Sequence, residues 1–99
     1  MTIAGLVVFV DYPESQVTKP RFEAAAGTQS NTRDLAYGFR HSALKLTGLP
    51  ETLTRATFTL CDGARAPAAS SFTCKVLDAS DDRGNVYDPS KLTCAVVVP

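Results

Sequence analysis

The sequence has no net charge, no tryptophan, a single histidine and no long hydrophobic run. Ten basic side chains balance ten acidic ones, so the overall charge points neither to nucleic acid nor to an anionic membrane. The opening apolar run, IAGLVVFV at residues 3–10, has less than half of the roughly 20 residues that a membrane-spanning helix needs. It also lacks the basic residue before it and the small-residue cleavage site after it that mark a signal peptide. We therefore expect synthesis in the cytoplasm and no membrane partner, and the final compartment stays open.

Helical periodicity is almost absent as well. The best helical candidate is RFEAAAGTQS at residues 21–30, and Gly27 ends its alanine run before a stable helix could form. Apolar and polar residues instead alternate, or apolar residues run together, in short segments bounded by Gly, Pro, Asp and Asn. These segments are residues 3–10, 16–24, 35–46, 54–60, 71–77 and 92–98.

About six or seven short strands of this kind indicate an all-β chain with one domain over residues 1–99. We expect an antiparallel β-sandwich of the Ig-like or Greek-key type, with a small barrel as the alternative. The absence of tryptophan and the cysteine spacing argue against a true immunoglobulin domain, though not against the sandwich.

Some local features carry specific expectations. Pro20 should confine its strand to an edge or a bulge, because proline has no backbone N–H. Leu35, Tyr37 and Phe39 share one face and are expected in the core, whereas GTQSNT at residues 27–32 is typical of a loop. The alternation slips by one between Phe39 and Leu44, which predicts a bulge or bend near residues 40–43.

The segment DASDDRGNVYD, residues 78–88, raises the question of a calcium loop. An EF-hand needs glycine at the sixth position and an acidic ligand at the twelfth, where this segment has Arg83 and Pro89. A looser calcium site remains the alternative, with Asp78, Asp82 and Asp88 as ligands. We favour a turn around Gly84 and expect no metal and no cofactor.

The three cysteines allow at most one internal bridge. Cys74 and Cys94 both lie on the apolar side of their segments, and a hairpin centred on Gly84 would place them opposite each other. They are either a disulfide or a pair of buried thiols, and without a signal peptide the thiols are favoured. Zinc would need every Cys and His of the chain at unusual spacings, which argues against it. Cys61 is out of phase with its strand and is expected to be the exposed thiol.

Catalysis is not expected. A Cys61 nucleophile would need His41 as its base, and nothing in the sequence brings the two together. Nucleophile-elbow, phosphate-loop and zinc-protease motifs are all missing.

The densest basic cluster is a candidate interaction surface, interleaved with Tyr37 and Phe39. Its members are Arg33, Arg40, His41 and Lys45. Aromatic residues among cations can stack on single-stranded bases. Because the two rings share the apolar phase of Leu35, core packing is the favoured role and nucleic acid is disfavoured as a partner.

The function that these observations favour is a non-catalytic structural or interaction module that acts by self-assembly or protein–protein contacts. The apolar runs at residues 3–10 and 95–98 must be paired or covered, because an exposed apolar edge aggregates. A homo-oligomer, for example a small virion or surface-assembly component, is the expectation. A ligand- or nucleic-acid-binding barrel that uses residues 33–45 is the alternative, and a thiol enzyme around Cys61 is the third possibility.

Overall fold

The residues that the structure describes form seven strands in two antiparallel sheets that pack face to face, so the predicted sandwich is confirmed over the barrel. The computed structural model describes residues 2–35 and 37–98. Nothing helical among these residues is long and apolar enough to cross a bilayer. The strands are β1 (Ile3–Asp11), β2 (Val17–Ala24), β3 (Gln29–Asp34), β4 (Gly38–Leu44), β5 (Thr54–Leu60), β6 (Thr73–Asp81) and β7 (Val86–Tyr87), with 3-10 turns at Ala69–Ser71 and Pro89–Lys91.

The larger sheet has five strands in the order β3-β4-β1-β6-β7, and the smaller sheet pairs β2 with β5. The opening apolar run is therefore a central strand, since β1 pairs with β4 on one side and β6 on the other. Val8 and Val10 of β1 are buried between the sheets, and Phe9 between them points to the opposite, outer face.

The core lies between the two sheets. Phe39 of the larger sheet contacts Phe22 of the smaller one, with ring centroids 4.7 Å apart. Tyr12, which follows β1, is buried in the same cluster, and its hydroxyl donates a 2.8 Å hydrogen bond to Asp34 Oδ1 at the end of β3. Burial, with the Asp34 hydrogen bond and charge, raises the pKa of Tyr12 to about 12. This contact holds the β1–β2 connection against β3.

Pro20 lies at an irregularity in the pairing of its strand, as the sequence predicts. The pairing of β2 with β5 shifts register between Thr18 and Arg21, and Lys19 has a positive φ of 52°. The bulge expected near residues 40–43 is absent, because β4 pairs with β1 without a break. The alternation of apolar residues slips between Phe39 and Leu44 only because Leu44 points outward, whereas Phe39 points into the core.

The segment expected to be a loop is a strand, and part of the expected strand is a turn. Residues 29–34 form the edge strand β3, which pairs with β4 through a ladder that needs no apolar side chains. Leu35 N–H donates to the carbonyl of Gly38 at 2.8 Å, which closes the β3–β4 turn. Phe39 is buried as expected, but Tyr37 lies in this turn with 54% of its surface exposed.

The expected hairpin around Gly84 is present. The chain turns there with a φ of 83°, pairs briefly as β7, passes through the second 3-10 turn, and continues as residues 92–98, which we name the valine arm. Cys74 and Cys94 are joined by a 2.03 Å disulfide with Cα atoms 5.6 Å apart. The preference for two reduced thiols was therefore wrong, although the predicted alignment of the two cysteines is confirmed.

The valine arm was expected to be a strand and does not join either sheet. Its side chains still alternate, with Leu92, Cys94 and Val96 half-buried, and Val96 packs against the core cluster. Val97 and Val98 are 85% and 42% exposed. The arm therefore has the side-chain pattern of a strand without its backbone partner.

Candidate functional site

The outer face of the five-stranded sheet is open, because the two-stranded sheet covers the other side. On β1 the outward positions alternate with buried Val8 and Val10, which places Gly5, Val7 and Phe9 on this face. Residues directly opposite each other in an antiparallel pair point to the same side of the sheet. The register of the sheet therefore defines which side chains share the outer face with Phe9.

A row of cations crosses this face. Phe9 lies opposite Arg40 of β4 on one side and Lys75 of β6 on the other, and Arg40 lies opposite Arg33 of β3. All three cations are exposed. Strands are spaced by roughly 4.8 Å, so the row extends about 14 Å across four strands. We name Arg33, Arg40 and Lys75 the cationic row.

Arg33 and Arg40 are directly opposed like charges, which destabilises a strand pair. Arg33, Arg40 and Lys75 make no side-chain hydrogen bond or ion pair within residues 2–35 and 37–98. The fold thus holds three cations in line without compensating them.

Two aromatic rings lie beside the row. Phe9 and Tyr37 have ring centroids 5.9 Å apart at an interplanar angle of 44°. Gly38 makes room for this pair, because a Cβ there would lie 2.7 Å from Phe9 Cζ and 2.6 Å from the carbonyl oxygen of Val10. Phe9 is half-buried and Tyr37 is more exposed, so the pair presents an aromatic surface next to the cations.

On its other side the row borders a shallow depression of about 520 Å³. Gly5 forms part of its floor, and Ser80 Oγ occupies the space that a Cβ at Gly5 would need. Val7 and polar side chains surround this floor, so the depression offers amide, hydroxyl and carboxylate groups over an apolar base. The polar residues that line it are Gln29, Ser30, Asn31, Ser42, Asp78 and Ser80.

The structure brings together only part of the predicted interaction surface. Arg33 and Arg40 face each other on the outer side, but His41 points to the opposite face and is fully buried, so its place on that surface was wrong. The reason is strand alternation, which sends neighbours 40 and 41 to opposite faces. Lys45 follows β4, where its Nζ lies 3.6 Å from the position of a Cβ on Gly27.

Sequence reasoning missed Phe9 and Lys75. Their place opposite each other depends on pairing between strands that are more than 60 residues apart in the chain. The outward phase of Phe9 was hidden because β1 is apolar on both faces.

His41 is polar within an apolar layer. Its Nδ1 shares a 2.6 Å hydrogen bond with Thr32 Oγ1, and its Nε2 is buried without a partner among the described residues. Burial lowers the pKa of His41 and so favours the neutral form of the ring. Cys61 is half-buried, and its Sγ lies 3.9 Å from the carbonyl oxygen of Glu14. These contacts place the thiol at the β1–β2 connection and the imidazole beside β3.

The acidic segment forms the predicted turn. Asp81 Oδ1 accepts hydrogen bonds from the backbone N–H groups of Arg83 and Asn85, both at 2.9 Å, and these bonds lower the pKa of Asp81. Asp88 caps the following 3-10 turn by accepting from Ser90 N–H and Oγ–H, which lowers the pKa of Asp88. In the part of the chain that the structure describes, no three potential metal-ligating side chains cluster.

Compared with protein-family models, with curated proteins and with solved structures, the chain matches none.

Proposed function

We propose that this protein is a non-catalytic interaction module that assembles by pairing the valine arms of two copies. The observation that carries the proposal is the arm itself: a strand-like segment whose backbone has no partner. From residue 93 to residue 98, no backbone–backbone hydrogen bond occurs among the described residues. Unpaired N–H and C=O groups in a row are a template for another strand.

Three edge strands of the two sheets carry features that discourage pairing. The edge strand β3 is polar and ends in Arg33 and Asp34, β7 has only two residues, and β2 is interrupted at Lys19 and Pro20. Charges, short length and bulges are the usual protections of an edge strand. The valine arm has none of them: its sequence LTCAVVV is uncharged and free of proline.

A second copy of the same chain is the partner that fits best. Two identical arms placed antiparallel across a two-fold axis each satisfy the backbone of the other, as an isologous interface requires. Pairing would also reduce the exposure of Val97, whose surface is 85% exposed in one copy. The disulfide at Cys94 holds the base of the arm on β6, so the arm loses less conformational freedom when it pairs. More specifically, we propose that the assembled protein is a subunit of a virion or of a surface layer.

The test removes single backbone donors from the arm. Ala95→Pro and Val98→Pro each delete one N–H, and the φ of proline suits an extended chain. Successive N–H groups point to alternate sides of a strand, so the two variants probe both sides of the arm. Ala95→Val is the matched control, because it keeps the N–H and a good strand former.

Sedimentation equilibrium should give the unmodified protein and Ala95→Val twice the chain mass of 10.5 kDa. At least one proline variant should sediment as a single chain and still unfold in one cooperative thermal transition, which shows that the sandwich itself is intact. An unmodified protein that stays at the mass of one chain at every concentration contradicts the proposal. Dimers that persist in both proline variants contradict it equally.

A further inference from the structure

We propose that the outer face of the five-stranded sheet binds single-stranded nucleic acid. The cationic row would contact the phosphates, and the Phe9–Tyr37 pair would stack on a base. This goes beyond assembly, because the site lies on the sheet face and uses no residue of the valine arm.

The charge arrangement is the first argument. Arg33 and Arg40 oppose each other and Lys75 continues the line, with no described carboxylate paired to any of them. An anion bound between the arginines converts their repulsion into attraction to a shared partner. Arginine is well suited to this role, because its planar guanidinium binds two phosphate oxygens at once.

The direction of the row defines how a polyanion would lie. Asp11 and Asp78 also point to the outer face, on opposite sides of the row. Asp11 lies two residues after Phe9 on β1, and Asp78 lies opposite Val7, two residues before Phe9. Carboxylates there repel phosphates, so the chain of phosphates would run across the strands from Arg33 to Lys75 rather than along them. The row of about 14 Å is long enough for a few nucleotides.

The aromatic pair selects nucleic acid over other polyanions. A positively charged track beside exposed rings is the arrangement by which proteins hold single strands without reading a duplex groove. Tyr37 is 54% exposed, so it has free ring surface to stack on a base. One reason for disfavouring nucleic acid was the expectation that Tyr37 and Phe39 lie in the core, and the position of Tyr37 in the β3–β4 turn removes that reason for Tyr37.

The depression beside the row suits the edges of the bases. Asn31, Ser42 and Asp78 lie one row from the cations and supply donors and acceptors. A duplex would need a helix or ribbon that enters a groove, whereas this face is a broad, shallow sheet surface. Unpaired bases can spread onto such a surface.

The test measures fluorescence anisotropy of a labelled oligothymidylate with the oxidised full chain between about 50 and 200 mM salt. We expect saturable binding with a slope of log K against log salt near −2, which corresponds to three neutralised phosphates on a single strand. Arg40→Gln and Lys75→Gln should each make the slope shallower by about 0.7. Tyr37→Ala should weaken binding roughly tenfold without changing the slope.

Arg21→Gln is the matched control, since Arg21 is an exposed arginine on the smaller sheet and should leave binding unchanged. Arg33→Gln replaces any row variant whose thermal midpoint shows that it does not fold. Absence of saturable binding overturns the proposal, and so does an Arg21→Gln variant that weakens binding as much as Arg40→Gln. Equal competition by polyglutamate, with no effect of Tyr37→Ala, would show a general polyanion site and would also overturn it.

Discussion

Removing the Cys74–Cys94 disulfide should lower stability by an amount that follows from the loop it closes. The cysteines are 20 residues apart in sequence, and closing a loop of that length stabilises the fold by about 3 kcal/mol through the entropy of the unfolded chain. This is a large part of the ~5–15 kcal/mol that holds a small domain together. For a chain of this size, the loss corresponds to a fall in thermal midpoint on the order of 15 °C.

The assay compares thermal melts of two proteins that both carry Cys61→Ser, so that thiol exchange with Cys61 cannot contribute. One retains the bridge, and the other also carries Cys74→Ala and Cys94→Ala. Adding reductant to the first protein should move its midpoint most of the way to that of the second. Midpoints that agree within a few degrees in all three samples would refute the claim that the bridge anchors the valine arm.

Three further outcomes test particular contacts. Because burial lowers the folded pKa of His41, the unfolded chain binds more protons than the folded one once the pH falls to about 6.5, so stability should decrease as the pH is lowered through this value, by at most ~1.4 kcal/mol per pH unit. Thermal melts of His41→Leu should lack this decrease in stability. A separate loss of stability below about pH 4 is expected from the carboxylates whose pKa is lowered. If the stability of the unmodified protein does not change with pH in this range, the buried state assigned to His41 is wrong. Gly38→Ala should cost about 1–3 kcal/mol in chemical denaturation, because its Cβ would collide with Phe9 and with the Val10 carbonyl, and an unchanged denaturation midpoint would show that the ring does not cover this glycine. Millimolar calcium should leave the thermal midpoint unchanged, since Asp81 and Asp88 are already engaged in their turns; a shift of several degrees that Asp82→Ala abolishes would restore the calcium site.

The sequence was informative where local pattern and local structure agree. Alternation predicted β5 at residues 54–60 and a strand at residues 71–77 that overlaps the first part of β6 (Thr73–Asp81), and the Asp- and Gly-rich segment predicted the turn that Asp81 stabilises. The apolar phase of Cys74 and Cys94 predicted their alignment, because a hairpin relates both positions through one turn. The redox state was not predictable in the same way, since it does not depend on local pattern.

Other features depend on contacts between distant parts of the chain. Strand β3 has no apolar residue, and its backbone pairs only because β4 offers an edge, so composition alone indicates a loop. The cationic row needs the register of β1 with both β4 and β6, which no short segment encodes. The valine arm shows the reverse case: its pattern is that of a strand, but pairing depends on a partner that one copy of the chain does not contain.

Hydrogen exchange of the arm tests the proposed assembly most directly. If two copies pair through their valine arms, every second amide of residues 93–98 should exchange slowly at concentrations well above the dissociation constant of the dimer and rapidly when the protein is diluted below it. The amides of β3 should exchange at the same rate at both concentrations, which provides an internal control. Rapid exchange of residues 93–98 at every concentration would mean that no strand is added to the arm, and the proposed assembly would be wrong.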